Sequence, residues 1–410
     1  MTSNEEFFQK PKPAAVLKHS VLAEYCNVFT SMVGFRHPGP IWLIDGYAGP
    51  GFYSASGDEQ APTAGSPIVA MRLAKQWHER GQRDFRCVFI EADPAHANSL
   101  RGHLTSFQNQ GLTAVVLEGD VQDHLQEAWE QVGGAPVITF IDPFGVAMPH
   151  HLMTELLLVT GRANPSEVLL NINVEAVSRL GGWLEERDCA VVPRHGMEKG
   201  VERVDRFLGD TWWRSQFFEA RRSHEGGSAA AAAESVIAQY RNRTEASTGC
   251  SSMSIPIRRR PGHHPLFYLT LFYRHPVAGY KFADAAARAT RKWRDEFRAE
   301  ELADALTPAD DTLFDFTSQI QELHEAKAKQ QERVLREESA SIIMRNIGTL
   351  IASRGRVTLA DDIVTILGTT LSLAGEPEIR RAWDQLAKEG VVQARDKSKN
   401  MHRLNIVAMR

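Results

Sequence analysis

Cysteine is scarce in this sequence, which has four cysteines among 410 residues. Cys26, Cys87, Cys189 and Cys250 are far apart and include no C-x-x-C pair, so their spacing indicates neither a zinc knuckle nor an iron–sulfur site. We expect most of these side chains to be small buried hydrophobic groups.

Long apolar runs are also absent. No stretch approaches the roughly 20 apolar residues that a helix needs to cross a bilayer. Residues 1–13 are polar and lack the apolar segment of a signal peptide. The sequence therefore predicts a protein of the reducing cytoplasm that makes no membrane contact.

An excess of basic residues is missing as well, since the formal net charge is −4. This balance excludes a generally basic, nucleic-acid-coating protein and restricts any nucleic-acid contact to a local patch. What the chain does have is 43% hydrophobic and 24% charged residues. That composition and length suit a globular protein of two or three domains.

Short apolar runs in the first half of the chain are each followed by a polar residue. The runs at 41–44, 87–90, 114–117, 137–141 and 168–170 lead to Asp45, Glu91, Asp120, Asp142 and Asn171. Buried strands that alternate with helices predict an α/β fold with a doubly wound, Rossmann-like parallel sheet. The polar residues then lie at the carboxyl ends of the strands, where such sheets bind ligands.

Helices are predicted on either side of the first strand. Apolar spacing indicates an amphipathic helix over 14–32 that covers one edge of the sheet. Ser66 suits the cap of a second helix and Pro67 its first position.

Residues 175–248 break the alternation, and we interpret them as a helical insertion over the ligand edge, a lid with a flexible tip around 226–233. Runs at 253–257 and 265–273 are separated by a short turn and must pair as an antiparallel hairpin. Such a hairpin after a parallel core is typical of a class I methyltransferase sheet.

The C-terminal part looks independent of the first domain. A charge-rich connecting helix is predicted over 306–339, followed by short helices at 342–353, 359–367 and 377–389 and a hairpin formed by 391–395 and 404–407. Three helices and a hairpin predict a winged helix-turn-helix. We therefore divide the chain into a methyltransferase-like domain (1–305), a connecting helix (306–339) and a winged-helix domain (340–410).

The loop that follows the first strand is rich in glycine. Gly46, Gly49 and Gly51, with Tyr47 between them, would let the backbone approach the methionine part of S-adenosylmethionine, while Asp45 positions its amino group. A purely structural turn is the alternative.

Two further acids complete the predicted cofactor site. Glu91 could accept hydrogen bonds from both ribose hydroxyls, or serve as a loop carboxylate. Asp120 could accept from the adenine amino group, or cap the helix that begins after it.

The tetrapeptide at 142–145, Asp-Pro-Phe-Gly, carries the predicted catalytic residues. Amino-group methyltransferases hold their target amine with a polar residue followed by Pro-Pro and an aromatic ring; here the second proline is absent. Asp142 and Pro143 would hold the amine, Phe144 would stack on an extruded base, and Asn171 would orient the substrate. Alternatively, the segment is a turn with a core phenylalanine, and Asn171 satisfies loop backbone groups.

Basic residues at two places could contact phosphates. Arg258, Arg259 and Arg260 lie in the predicted hairpin turn, although charge runs are most often solvated. The second set covers the predicted recognition helix and wing: Arg380, Arg381, Lys388, Arg395, Lys397, Lys399 and Arg403. A protein-docking role is the alternative for that domain. No metal site is predicted.

Several of these motifs, in this order, resemble the three-Cys-motif partner protein family (TcmP). They are Lys18-His19 with Leu22 and Tyr25, the loop 45–51, Gly65-Ser66-Pro67, Phe89-Ile90-Glu91, Gly119-Asp120, the segment 140–145 and Leu170-Asn171-Ile172. The resemblance implies a methyltransferase-like fold. It also implies a partner of the radical-S-adenosylmethionine, spore-photoproduct-lyase-like kind, whose three cysteines bind the iron–sulfur cluster.

Two functions follow as hypotheses. In the first, the protein is an S-adenosylmethionine-dependent methyltransferase that acts on nucleic acid, with a base amine as target and DNA favoured over RNA. In the second, it is a non-catalytic DNA-recognition partner of a radical enzyme in DNA repair or modification. A hydrolase ranks last, because no cluster of carboxylates and histidines supports it.

Overall fold

The structure is a computed structural model that describes residues 13–53, 63–143, 145–187, 196–223, 227–306 and 317–409. The chain forms two compact units, residues 1–274 and residues 275–410. The division at 305 and 340 inferred from the sequence remains a prediction. Within the described ranges, every helix is too short or too polar to span a bilayer.

A seven-stranded sheet organises the first unit. The strands of this unit are β1 (Ile41–Asp45), β2 (Phe52–Tyr53), β3 (Thr63–Ala64), β4 (Phe85–Glu91), β5 (Ala114–Glu118), β6 (Val137–Ile141), β7 (Ser166–Asn173), β8 (Ser251–Ile257) and β9 (Phe267–Tyr273). The sheet has the order β5-β4-β1-β6-β7-β9-β8, while β2 and β3 form a separate small hairpin. Five neighbouring strands, from β5 to β7, run parallel, and β9 is antiparallel to both β7 and β8.

This mostly parallel α/β sheet is consistent with a Rossmann-like methyltransferase. Every residue of β1 and of β6 is buried, as expected for central parallel strands that are covered on both faces. The predicted hairpin is confirmed, since β8 and β9 pair antiparallel from Ser251↔Tyr273 to Ile257↔Phe267.

Four helices cover the parallel strands. They are α1 (Pro13–Gly34), α2 (Ser66–Glu79), α3 (Pro94–Gln108) and α4 (Val121–Val132), and a short helical segment at His150–Leu152 continues as a π-helical turn at Met153–Leu157. Asp93 and Asp120 cap α3 and α4 through their side chains. The predicted cap of α2 was one residue off: Gly65 is the N-cap, and buried Ser66 is the first helical residue.

The insertion is helical, with α5 (Val174–Arg187), α6 (Met197–Leu208), α7 (Trp212–Ser223) and α8 (Ala229–Thr248). Trp213 and Phe217 are fully buried in a core that also contains the sheet residues Ile44 and Leu170. The predicted flexible tip was wrong for 229–233, which form the first turns of α8, capped by Ser228. Residues 224–226 lie outside the described residues.

The second unit contains α9 (Pro276–Leu306), α10 (Thr317–Arg354), β10 (Arg356–Thr358), α11 (Ile363–Leu367), α12 (Glu376–Lys388) and β11 (Asn405–Val407). The predicted helix over 342–353 is the final part of α10, and that over 359–367 begins only at Ile363.

The C-terminal strands pair differently from the prediction. β11 pairs antiparallel with β10. The segment 391–395 adds only one bridge, Val392 to Ala408, with a hydrogen bond from Gln393 N to Val407 O at 2.9 Å. The winged-helix assignment stays a prediction.

Candidate functional site

A cavity of about 230 Å³ opens at the carboxyl ends of β1, β6 and β7. The chain runs from β1 towards β4 and β5 on one side and then crosses to β6 and β7 on the other. This reversal creates the crevice in which open α/β sheets bind ligands. Six of the predicted site residues line the cavity: Tyr47, Gly49, Gly51, Asp142, Pro143 and Asn171.

The glycine loop is tied to the strands on both sides of β1. The amide of Gly46 donates to Phe140 O of β6, and that of Ala48 donates to Ile90 O of β4, both at 3.0 Å. A side chain at Gly46 would place its Cβ 2.9 Å from Ile141 Cδ1. Gly51 has φ +94°, a backbone conformation that favours glycine. The backbone therefore requires glycine at position 51, whereas a Cβ at position 46 would displace the end of the Ile141 side chain.

Asp45 lies beneath this loop and does not line the cavity. It is fully buried, and Tyr47 N donates to its Oδ1 at 3.2 Å. Burial raises the pKa of Asp45 to about 7, aided by the charges of Asp142 and Glu91 and opposed by hydrogen bonding from Ser66 and Tyr47. This carboxyl group is therefore poised to change its charge near neutral pH.

Glu91 and Asp120 also lie outside the cavity lining. Glu91 Oε2 accepts from Gly49 N at 2.7 Å and Oε1 accepts from Asp93 N at 2.8 Å, so this side chain fastens the glycine loop to the start of α3. Asp120 Oδ1 accepts from Gln122 N at 2.9 Å as the N-cap of α4. The structural alternatives are thus present for both residues, and their ribose and adenine roles stay predictions.

Asp142 directly follows β6, and two side chains bind its carboxylate. Lys18 Nζ lies 2.7 Å from its Oδ1 and 2.6 Å from its Oδ2, and Asn171 Nδ2 donates to Oδ1 at 2.7 Å. The Lys18 ammonium also lies 5.0 Å from the centre of the Phe267 ring. Two donors therefore fix the orientation of the carboxylate. Phe144 lies outside the described residues.

Lys18 and His19 line the cavity but were missing from the predicted site. Burial and the neighbouring Lys18 lower the pKa of His19 to about 4, against the opposing charge of Asp142, so its ring is neutral at pH 7. The signal was present in the sequence: Lys18 precedes Leu22 by four residues and Tyr25 by seven, which places a cation on the buried stripe of α1.

Unpaired polar atoms gather around the loop. Among the described residues, Asp45 Oδ2, Tyr47 Oη and Asn171 Oδ1 are buried without a hydrogen bond of acceptable geometry. Buried polar groups normally have partners, so each of these atoms suits a ligand group. Acceptors at Asp45 and Asn171, near the glycine loop, are consistent with a ligand that carries amino groups, such as S-adenosylmethionine.

The arginines of the hairpin turn lie apart from the cavity lining. Arg258 is partly buried, and burial lowers its pKa, whereas tyrosine and glutamate charges oppose the shift. Arg259 lies 3.7 Å from Glu175 in an exposed ion pair, and Arg260 is exposed.

The seven predicted nucleic-acid contacts of the second unit fall into two groups. Arg380 pairs with Glu376, Arg395 binds Asp384 at 2.8 Å, and Lys399 lies 3.4 Å from Asp396. The other four, which are exposed and form no ion pair within the described ranges, are Arg381, Lys388, Lys397 and Arg403. Of the seven, these four are the ones that no carboxylate of the described chain neutralises.

No family model and no curated protein matches this chain. Among solved structures, it is similar to the plantazolicin methyltransferase BamL in complex with a triazolic desmethylPZN analog and SAH. The identity is 12%, the TM-score is 0.30, and the match covers 66% of this chain and 90% of that one. A structural similarity this weak supports no conclusion about the fold beyond the one that the sheet order supports. The resemblance to three-Cys-motif partner proteins rests on the sequence motifs alone.

Proposed function

We propose that the first unit binds S-adenosylmethionine and transfers its methyl group to an amine, with a nucleic-acid base as the substrate. One observation carries this proposal: Asn171 Oδ1, in the cavity wall beside Asp142, is a buried acceptor without a donor in the described chain. An amine substrate would satisfy this acceptor.

The cofactor would lie against the glycine loop. Its sulfonium group supplies an electrophilic methyl group when bound. Gly49 and Gly51 leave room for it, Tyr47 offers a hydroxyl donor, and Asp45 offers an acceptor below the loop. Glu91 and Asp120 would use their remaining lone pairs for the ribose and adenine groups.

The remaining steps belong to the side chains of the cavity. Asn171 Oδ1 and the Asp142 carboxylate would accept the two amine hydrogens, which directs the nitrogen lone pair towards the methyl group. Lys18 holds the Asp142 side chain in this orientation. His19 is neutral at pH 7 and lies in the same cavity, so it can accept the proton that the methylated amine releases.

The test is methyl transfer from labelled S-adenosylmethionine to DNA and RNA oligonucleotides. Asn171→Ala and Asp142→Ala should each lower the rate by about 10- to 100-fold, the loss expected for one buried hydrogen bond. Asn109→Ala, at an exposed asparagine that follows α3, is the matched control. Undiminished transfer by both cavity variants would show that the proposed site is wrong.

A second function is favoured by the position of Glu91. Both of its oxygens already hold backbone amides, and the residue lies outside the cavity. This arrangement suits a protein that has given up the ribose contact and recognises DNA for a radical-enzyme partner. Calorimetry with S-adenosylmethionine and S-adenosylhomocysteine separates the two, because absence of binding by both ligands favours the accessory role.

A further inference from the structure

Four arginines converge in the second unit, where they serve no role described so far. Arg291, Arg294 and Arg298 lie on α9 and Arg336 lies on α10. We call these four residues the arginine cluster. They surround Glu332 of α10, and two of them also approach Glu378 of α12.

Two members of the cluster are bound to carboxylates. Arg294 Nη2 lies 3.1 and 3.2 Å from the two oxygens of Glu332. Arg298 donates to Glu332 Oε2 at 3.4 Å and to Asp295 at 2.9 Å. The carboxylate of Glu332 is therefore already engaged on both of its oxygens.

The other two members are close to carboxylates but poorly aligned with them. The Nε atoms of Arg291 and Arg336 lie 3.3 and 3.7 Å from Glu332 Oε1, yet neither has a hydrogen-bond acceptor among the described residues. Arg294 is 7% exposed, and its Nε and Nη1 atoms also lack acceptors. A guanidinium group carries five N–H donors, so much of the donor capacity of the cluster is unused.

The charges are unequal as well. Four guanidinium groups face three carboxylates: Glu378 is buried, Glu332 is half-buried and Asp295 is exposed. The other oxygen of Glu378 accepts from Gly375 N at 2.9 Å. The nearby arginines hold the pKa of Glu332 below its usual value, although burial alone would raise that pKa. Positive charge therefore exceeds negative charge within the cluster, and partly buried charge that is not balanced is costly, which favours an anion at this place.

We propose that the arginine cluster binds a phosphate group. Guanidinium forks match the oxygens of a tetrahedral oxyanion, and the negative charge of a phosphate offsets the excess of four guanidinium groups over three carboxylates. The side chains of Arg291 and Arg336 are 28% and 40% exposed, so part of each is open to solvent, whereas their unpaired Nε atoms are buried. The phosphate belongs either to a small phosphate compound or to a nucleic-acid backbone.

Calorimetry of the full chain with inorganic phosphate tests this proposal, with sodium chloride holding the ionic strength constant. The unmodified protein should bind one phosphate with saturation. Arg336→Gln should weaken binding at least about tenfold, since it removes charge-assisted hydrogen bonds. Arg345→Gln, at an exposed arginine of the same helix, should leave the affinity unchanged. Absence of binding, or an equal loss in both variants, would overturn the proposal.

Glu332→Gln separates a ligand site from a purely structural ion network. Removal of this internal negative charge weakens the hold on the arginines, so phosphate should bind several-fold more tightly. If the cluster is only a structural ion network, Glu332→Gln should lower the melting temperature without any gain in phosphate affinity. That result would contradict a phosphate-binding site. Neither measurement requires the cofactor, so the result is independent of the proposed methyl transfer.

A short DNA duplex then identifies the source of the phosphate. Competition by inorganic phosphate, together with weaker duplex binding by Arg336→Gln, assigns the site to the nucleic-acid backbone. If neither inorganic phosphate nor the Arg336→Gln substitution changes duplex binding, the site is assigned to a small phosphate compound. Both outcomes support a phosphate site.

Discussion

Among single residues, the ion pair between Lys18 and Asp142 has the largest expected effect on stability and on the cavity. Lys18 is 5% exposed, and 124 positions separate it from Asp142 in the sequence. Removal of one member of a buried pair leaves an uncompensated charge, whereas removal of both members is far less costly.

We therefore expect Lys18→Met to lower the free energy of unfolding by about 2–3 kcal/mol. The double variant Lys18→Met/Asp142→Leu should lose clearly less than the sum of the two single changes. Urea unfolding of the four proteins of this cycle measures the coupling. Strict additivity would mean that the pair contributes nothing to folding.

Glu167 gives a pH prediction that is separate from the cavity. It accepts from Tyr25 Oη at 2.6 Å, and burial raises its pKa from 4.5 to about 7, against the opposing effect of the Tyr25 hydrogen bond. Because the folded state holds this proton more tightly than the unfolded state, the contribution of Glu167 to stability is greatest below pH 4.5 and is lost as the pH rises to 7.

Glu167→Gln keeps an acceptor for Tyr25 and cannot ionise. Relative to the unmodified protein, this variant should gain up to about 3 kcal/mol of stability between pH 4.5 and 7. The contrary effect of His19, whose pKa is lowered, is present in both proteins and cancels in the difference. Parallel stability profiles over this pH range would exclude the assigned titration.

Sequence patterns placed Asp142 and Asn171 at the sheet edge where the cavity lies because each follows an apolar run, a signal that lies within a few residues of the chain. Lys18 and His19 were missed because the apolar spacing of α1 indicates only that this face is buried, whereas the pairing of Lys18 with Asp142 joins residues 124 positions apart. Asp45 was predicted but its depth was not, because burial beneath the loop depends on the neighbouring strands β4 and β6.

Among elements, the glycine loop between β1 and β2 responds most sharply to substitution. Gly51→Ala places a side chain at φ +94° and should destabilise the protein by about 1–2 kcal/mol while weakening the proposed binding of S-adenosylmethionine. Gly102→Ala is the matched control: Gly102 lies within α3, and a Cβ there meets nothing within 4 Å.

The control should raise stability by about 0.5–1 kcal/mol and leave the affinity unchanged, because alanine favours a helix more than glycine does. Thermal unfolding and calorimetry of both variants make the comparison. Equal effects of the two substitutions would contradict a special requirement for glycine in the loop.

The parallel core and the β8–β9 hairpin were predictable because buried strands and a short turn leave few alternatives. The pairing of β10 with β11 was not, since β10 is only three residues long and its partner lies about 50 positions away in the sequence. The start of α8 was missed because its alanine run was read as low complexity, although alanine favours helices and Ser228 caps them.

For the molecule as a whole, a net charge of −4 restricts the proposed binding of DNA to basic groups that are not neutralised internally. Arg403 is exposed without an ion pair in the described chain, whereas Arg380 is paired with Glu376. The proposal predicts that Arg403→Gln reduces the salt dependence of DNA binding, the slope of log K against log salt, by about 1.

Arg380→Gln removes the same formal charge from a residue that is already neutralised, so the salt dependence should change little. Fluorescence anisotropy with a labelled duplex over a range of salt concentrations measures both slopes. If Arg380→Gln reduced this slope more than Arg403→Gln did, ion pairing would not determine which arginines contact phosphate.

The helices of the insertion, α5 to α8, share a hydrophobic core with one face of the sheet: Trp213 and Phe217 are buried with Ile44 and Leu170. In evolutionary terms, this segment cannot be gained or lost as an independent unit in a single step. Its loss would uncover the sheet, so any descendant without it would need new apolar side chains or a new covering element at once. Divergence in this protein is therefore expected to proceed by substitution within the insertion rather than by its deletion.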